Sequence, residues 1–124
     1  MLKKSINDVD VNGKNILLRC DFNVPIKNNI IQNTYRIDQS LKTIKYCIDN
    51  NCKKIRIVSH LGRPKGKFDK KLSLKPIKDY ISQKLNINIP LINFNKILVE
   101  NNNIVLIENI RFCSSELDII NNTN

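Results

Sequence analysis

The chain has 124 residues, 41% of them hydrophobic, with no run of eighteen apolar residues and no apolar stretch behind Met1-Leu2-Lys3-Lys4. That is enough for one modest core and supports neither a membrane span nor a secretory leader, so a soluble, cytoplasmic protein without a membrane partner is expected. A formal net charge of +10 raises nucleic-acid binding, but sixteen lysines against five arginines, 20 asparagines, 21 isoleucines and only 6% aromatics read as drift toward AT-rich codons, not as a basic stripe interleaved with stacking rings.

Residues 15–22 (NILLRCDF) form a short apolar run that predicts a buried strand, its carboxyl end emerging at Asp21 and Asn23. Pro25 ends it. Lys27-Asn28-Asn29-Ile30 then reads as a tight turn, because asparagine tolerates positive φ. From Arg36 the period changes: Ile37, Leu41, Ile44 and Ile48 are spaced four, three and four apart, which predicts an amphipathic helix stopping near Asn50-Asn51. Residues 54–59 (KIRIVS) follow as a strand that delivers His60 and Arg63 just past its end. Ser73 is placed to cap a second helix with Pro76 in its first turn and Leu74, Ile77, Ile81 and Leu85 facing inward. Further strands are expected over residues 88–94 and 103–108, the last ending at Asn109 and Arg111.

Strands alternating with helices predict an α/β fold: a Rossmann-like, mainly parallel sheet sandwiched by helices on both faces. Ligands of such sheets gather outside the carboxyl ends of the strands. Asp21/Asn23, His60/Arg63 and Asn109/Arg111 each follow a different predicted strand, so one crevice could collect them all. The tail, SSELDIINNTN, carries no clear period, and the pattern looks interrupted there, as in a truncated domain.

Four cysteines (Cys20, Cys47, Cys52, Cys113) lack CxxC pairs, and there is one histidine, so no metal site is expected and the thiols are read as reduced. The stretch SHLGRPKG (59–66) holds that histidine, His60, together with Gly62, Arg63, Pro64 and Gly66, two of the chain's three glycines. Arg36, Arg63 and Arg111 sit beside element ends, where a guanidinium fork suits carboxylate or phosphate oxygens. Plainer readings stand beside these: Asp21 as a turn cap, His60 as a hydrogen-bonded turn residue. There is no GxxxxGK[ST] or GxGxxG phosphate loop, so the chain alone is not expected to hold nucleotide phosphates.

Taken in order, RCDFNVP (19–25), YRIDQSLKTIKYCI (35–48), SHLGRPKG (59–66), SLKPI (73–77) and VLIENIRF (105–112) resemble the amino-terminal domain of the phosphoglycerate kinase family over residues 14–116. The resemblance implies a partial 3-phosphoglycerate-binding domain, residues 1–124, of a two-domain glycolytic enzyme. That enzyme passes a phosphoryl group reversibly between 1,3-bisphosphoglycerate and ADP, giving 3-phosphoglycerate and ATP, and is expected to be a monomer. It implies that Asp21, Phe22 and Asn23 hold the glycerate, that Arg36 is the catalytic cation at the migrating phosphoryl, and that His60, Leu61, Gly62, Arg63 and Arg111 belong to the surrounding basic patch. Magnesium ATP or ADP would bind the carboxyl-terminal domain, which is absent here together with the hinge, so the chain alone is expected to be inactive. Cys113 and NKILV (95–99) depart from the family pattern. A small basic nucleic-acid-binding module is the alternative function.

Overall fold

A computed structural model describes residues 10–62 and 69–110. Arg63 and Arg111, with Pro64, Gly66, Cys113 and the 114–124 tail, lie outside the described residues. Four strands, β1 (Asn15–Arg19), β4 (Lys54–Val58), β5 (Leu91–Ile92) and β6 (Ile104–Ile107), form an all-parallel sheet in the order β1-β4-β6-β5. The helices are α1 (Tyr35–Asp49) and α2 (Lys75–Leu85), and β2 (Ile26–Lys27) pairs with β3 (Ile30–Ile31) in a separate hairpin.

Register explains the layers. Ile16, Ile55 and Ile104 are cross-strand partners, as are Leu18, Ile57 and Leu106, so one face presents a row of apolar side chains. Against it pack Ile37, Ile44 and Cys47 of α1 and Ile77 and Ile81 of α2, all fully buried. At about 1.5–3 kcal/mol for each large side chain fully buried, this one cluster is the main favourable term in folding. Because β1, β4 and β5 advance in one direction across the sheet with right-handed crossovers, α1 and α2 fall on the same side.

Among the described residues the opposite face carries no α-helix; a 3₁₀ segment, Phe94–Val99, connects β5 back to β6. Arg56 points to this side and donates to the carbonyls of Asn102 (2.8 Å) and Glu100 (3.1 Å). Leu17, its partner on β1, is 70% exposed. The run 15–22 is therefore an edge strand of five residues with alternating exposure, not a buried one. Likewise the expected strand over 88–94 shrinks to Leu91–Ile92, since Phe94 already starts the 3₁₀ segment.

Asparagines make the left-handed corners. Asn28 (φ 54°) and Asn29 (φ 62°) form the β2–β3 turn, with positive φ at both central positions as a two-residue hairpin of the primed type requires. Asn51 (φ 61°) follows α1. Its N–H reaches the Ile48 carbonyl, and the Cys52 N–H reaches the Cys47 carbonyl, each at 3.1 Å, the pair of bonds that closes a helix with a left-handed residue after it. Asn86 (φ 54°) does the same for α2.

α1 and α2 are joined by polar contacts. The Tyr80 hydroxyl of α2 donates to one Asp38 carboxylate oxygen, and Thr34 Oγ1 donates to the other at 2.9 Å. The Tyr80 bond, ahead of the others, holds the Asp38 carboxyl below its ordinary range. A depressed carboxyl contributes stability that is present above the unfolded-state value and lost as pH falls through the folded one. The melting temperature should therefore fall on acidification below about pH 4, and Tyr80→Phe should flatten that acid limb relative to the parent chain; parallel slopes for the two would count against the Asp38–Tyr80 bond as its source.

Candidate functional site at the strand tips

β1 and β4 end side by side, Arg19 opposite Val58, and the Cys20 N–H continues the ladder to the Val58 carbonyl at 2.9 Å. The chain beyond each strand is therefore forced to run alongside the other. In the extended segment after β1, side chains alternate: Cys20, Phe22 and Val24 turn into the core while Asp21 and Asn23 face out. The Phe22 N–H is held by Ser59 Oγ at 3.0 Å, and Asn23 Oδ1 accepts the Gly62 N–H at 3.0 Å.

Over this junction lies a cleft of about 370 Å³ lined by Arg19, Cys20, Asp21, Asn23, Arg36 and His60. Arg36 is the second residue of α1, where the helix dipole disfavours a cation. Its guanidinium is instead held by Asp21 Oδ2 at 3.4 Å and by the Asn23 carbonyl at 3.2 Å. Both side chains of that ion pair are more than half exposed, at 56% and 62%, and an exposed pair of this kind contributes about 0–1 kcal/mol. An incoming anion can replace Asp21 on Arg36 at little cost. The cleft therefore presents two guanidinium groups and an imidazole beside amide and carboxylate groups able to take a hydroxyl, a set suited to a small phosphorylated or carboxylated molecule.

Four expected site residues, Asp21, Asn23, Arg36 and His60, thus share one cleft. Arg63 and Arg111 lie outside the described residues. Phe22 is fully buried, and its N–H and carbonyl are engaged by Ser59 and Val24, so its side chain belongs to the core and does not line the cleft. Leu61, 4% exposed, borders with Gly62 an adjoining hollow of about 290 Å³. Gly62 has φ +60°, a strained region for most side chains, and a Cβ there would stand 2.7 Å from Leu72 Cδ2 and push that side chain aside, so the turn favours glycine. Arg19 was not singled out from the sequence; its signal was the outward position at the last residue of β1. A larger hollow, about 450 Å³, lies by α2, lined among the described residues by Asn29, Lys70, Ser73, Lys75, Pro76 and Asp79, and shares none of these with the cleft.

Behind the cleft, Ser73, Glu108 and Asn109 form a buried polar cluster. The Glu108 carboxylate accepts from Ser73 Oγ (2.7 Å), the Leu74 N–H (2.8 Å) and the Asn109 N–H (2.8 Å). Ser73 is therefore not the N-cap of α2; Leu74 holds that position, while Ser73 Oγ accepts the Lys75 N–H at 3.2 Å. The three described thiols are poor nucleophiles here. Burial pushes Cys20 up to about 11 and raises Cys47 and Cys52 as well, so near neutrality they remain protonated.

A sequence profile described as phosphoglycerate kinase matches residues 6–123. A phosphoglycerate kinase of Finegoldia magna is 43% identical over 126 aligned positions, covering 94% of this chain and 32% of the relative. One from Helicobacter pylori is 47% identical over 120, covering 91% and 30%. The solved phosphoglycerate kinase of Coxiella burnetii superimposes with a TM-score of 0.74 at 40% identity, over 86% of this chain and 28% of that one. The chain thus spans about a third of the length of the curated relatives it matches.

Proposed function

Because the chain belongs to the phosphoglycerate kinase family, we propose that it is the glycerate-binding, amino-terminal part of an enzyme that moves a phosphoryl group reversibly between 1,3-bisphosphoglycerate and ADP. The observation that carries this reading is the convergence of Arg19, Asp21, Asn23, Arg36 and His60 on one cleft at the tips of β1 and β4. Asp21 and Asn23 are assigned to the hydroxyl and carboxylate end of 3-phosphoglycerate, His60 and Arg19 to its charge. Arg36 is assigned to the phosphoryl in transit. Arg63 and Arg111 are assigned to the same patch on the family resemblance alone.

Phosphoryl transfer asks for in-line placement and for cations on the equatorial oxygens more than for a nucleophile, and this cleft offers cations. Magnesium takes several oxygen ligands, and among the described residues Asp21 is the single carboxylate lining the cleft; on the family resemblance, the magnesium nucleotide is assigned to the part of the enzyme beyond this chain. Residues 1–124 are then a partial domain without turnover of their own.

Titration of the chain with 3-phosphoglycerate, followed by amide NMR, is expected to shift residues 21–23, 36 and 60–62 and to weaken as salt rises. Tight, salt-steep binding of a short oligonucleotide with no response to 3-phosphoglycerate would replace this reading with the nucleic-acid one.

A further inference from the structure

Asn109 follows β6 by two residues and is 2% exposed, so it stands behind the cleft instead of in it. Its Nδ2 carries two hydrogens, and each has an acceptor: the Leu61 carbonyl at 2.7 Å and the Leu72 carbonyl at 2.9 Å. The side chain is itself braced, because the Asn109 N–H is held by Glu108 Oε1 at 2.8 Å and the next N–H, that of Ile110, donates to the Ser59 carbonyl at 3.2 Å.

Those two carbonyls matter to the cleft. The Leu61 carbonyl belongs to the peptide that joins Leu61 to Gly62, one residue past His60. Drawing Leu72 toward the same amide places its side chain where a Cβ on Gly62 would stand. The Gly62 N–H then meets Asn23 Oδ1. Contacts run from Asn109 through Leu61 and Gly62 to Asn23, and to His60 along the backbone. We infer that Asn109 is a positioning residue for the anion cleft, fixing His60 and Asn23 through the Leu61 and Leu72 carbonyls; this rests on the cleft being the phosphoglycerate site. No other small side chain does the same: aspartate has no hydrogen to give, and serine can satisfy only one of the two carbonyls.

The test compares the parent chain, Asn109→Ser and Ile89→Val by NMR titration with 3-phosphoglycerate, each beside a thermal melt. Ile89 is fully buried near β5, at the sheet edge opposite β1, so its truncation lowers stability without touching the cleft. Asn109→Ser should weaken binding about tenfold, as expected for the loss of one well-made hydrogen bond in a preorganised site, while Ile89→Val stays within about twofold. In the parent chain the Asn109 side-chain hydrogens should exchange slowly and keep their resonances when ligand is saturating. Rapid exchange of those hydrogens, or equal affinity of Asn109→Ser and parent, overturns the inference whether or not the variant is fully stable. So does equal weakening by both substitutions, which would make Asn109 merely structural. A parent chain that keeps these hydrogens protected yet ignores 3-phosphoglycerate overturns the functional reading, and this one with it.

Discussion

Replacing Arg36 with alanine lowers the affinity of the chain for 3-phosphoglycerate by about thirty- to one-hundred-and-fiftyfold and leaves the unfolding transition nearly unmoved. The two halves of that expectation have different sources. In the folded chain Arg36 is more than half exposed and its polar partners are Asp21 and the Asn23 carbonyl, contacts worth about 0–1 kcal/mol together at a solvated site. Toward a bound phosphate or carboxylate the same guanidinium makes charge-assisted hydrogen bonds of about 2–3 kcal/mol, which is the fold-change stated. In an assembled enzyme the asymmetry should sharpen: if Arg36 meets charge that develops in transfer, Arg36→Ala lowers kcat by a larger factor than it raises KM. Arg36→Lys should recover only part of the loss, because a point charge does not reproduce the planar fork. Calorimetric titration and a thermal melt on the same samples decide the matter. A melt that drops in parallel with affinity would make Arg36 a structural residue and remove it from the chemistry.

Glu108→Ala is expected to cost about 3–5 kcal/mol of folding stability. The carboxylate is buried and accepts three hydrogen bonds, from Ser73, Leu74 and Asn109, so its removal orphans a hydroxyl and two backbone N–H groups, each at about 1–3 kcal/mol. Against a total of about 5–15 kcal/mol for a domain, that is a large fraction. Ser73→Ala, which removes one donor and leaves the carboxylate two, should cost about 1 kcal/mol. Urea unfolding measures both. A loss under about 1 kcal/mol for Glu108→Ala would mean that water replaces the missing oxygens and that the cluster does not tie β6 to α2.

Much of the fold was legible because periodicity reports burial directly. Ile37, Leu41, Ile44 and Ile48 gave α1 to within a residue, and Asn28-Asn29 gave the hairpin turn. What periodicity cannot report is which side of the sheet a neighbour occupies. Leu17 looks like core in the sequence and is exposed because β1 is an edge strand whose outer face no described helix covers. The site was legible in the same measure. Asp21, Asn23, Arg36 and His60 were found as polar residues at element ends, and the topology gathers them. Phe22 was grouped with Asp21 and Asn23 by the family resemblance, and alternation in an extended segment sends its side chain the other way. Asn109 was placed at a strand tip but not as a brace, because its partners are carbonyls far along the chain, which no local pattern encodes.

The asparagine corners carry a broader lesson. Asn28, Asn29, Asn51 and Asn86 all adopt the left-handed region, a service more often supplied by glycine. Asparagine reaches it at modest cost and, having a side chain, leaves the unfolded chain fewer conformations to lose. A coding bias that starves a protein of glycine can thus be absorbed at ordinary bends, and of the two described glycines it is Gly62, where an added carbon would press on Leu72, and not Gly13, where it would meet open space, that marks a crowded place.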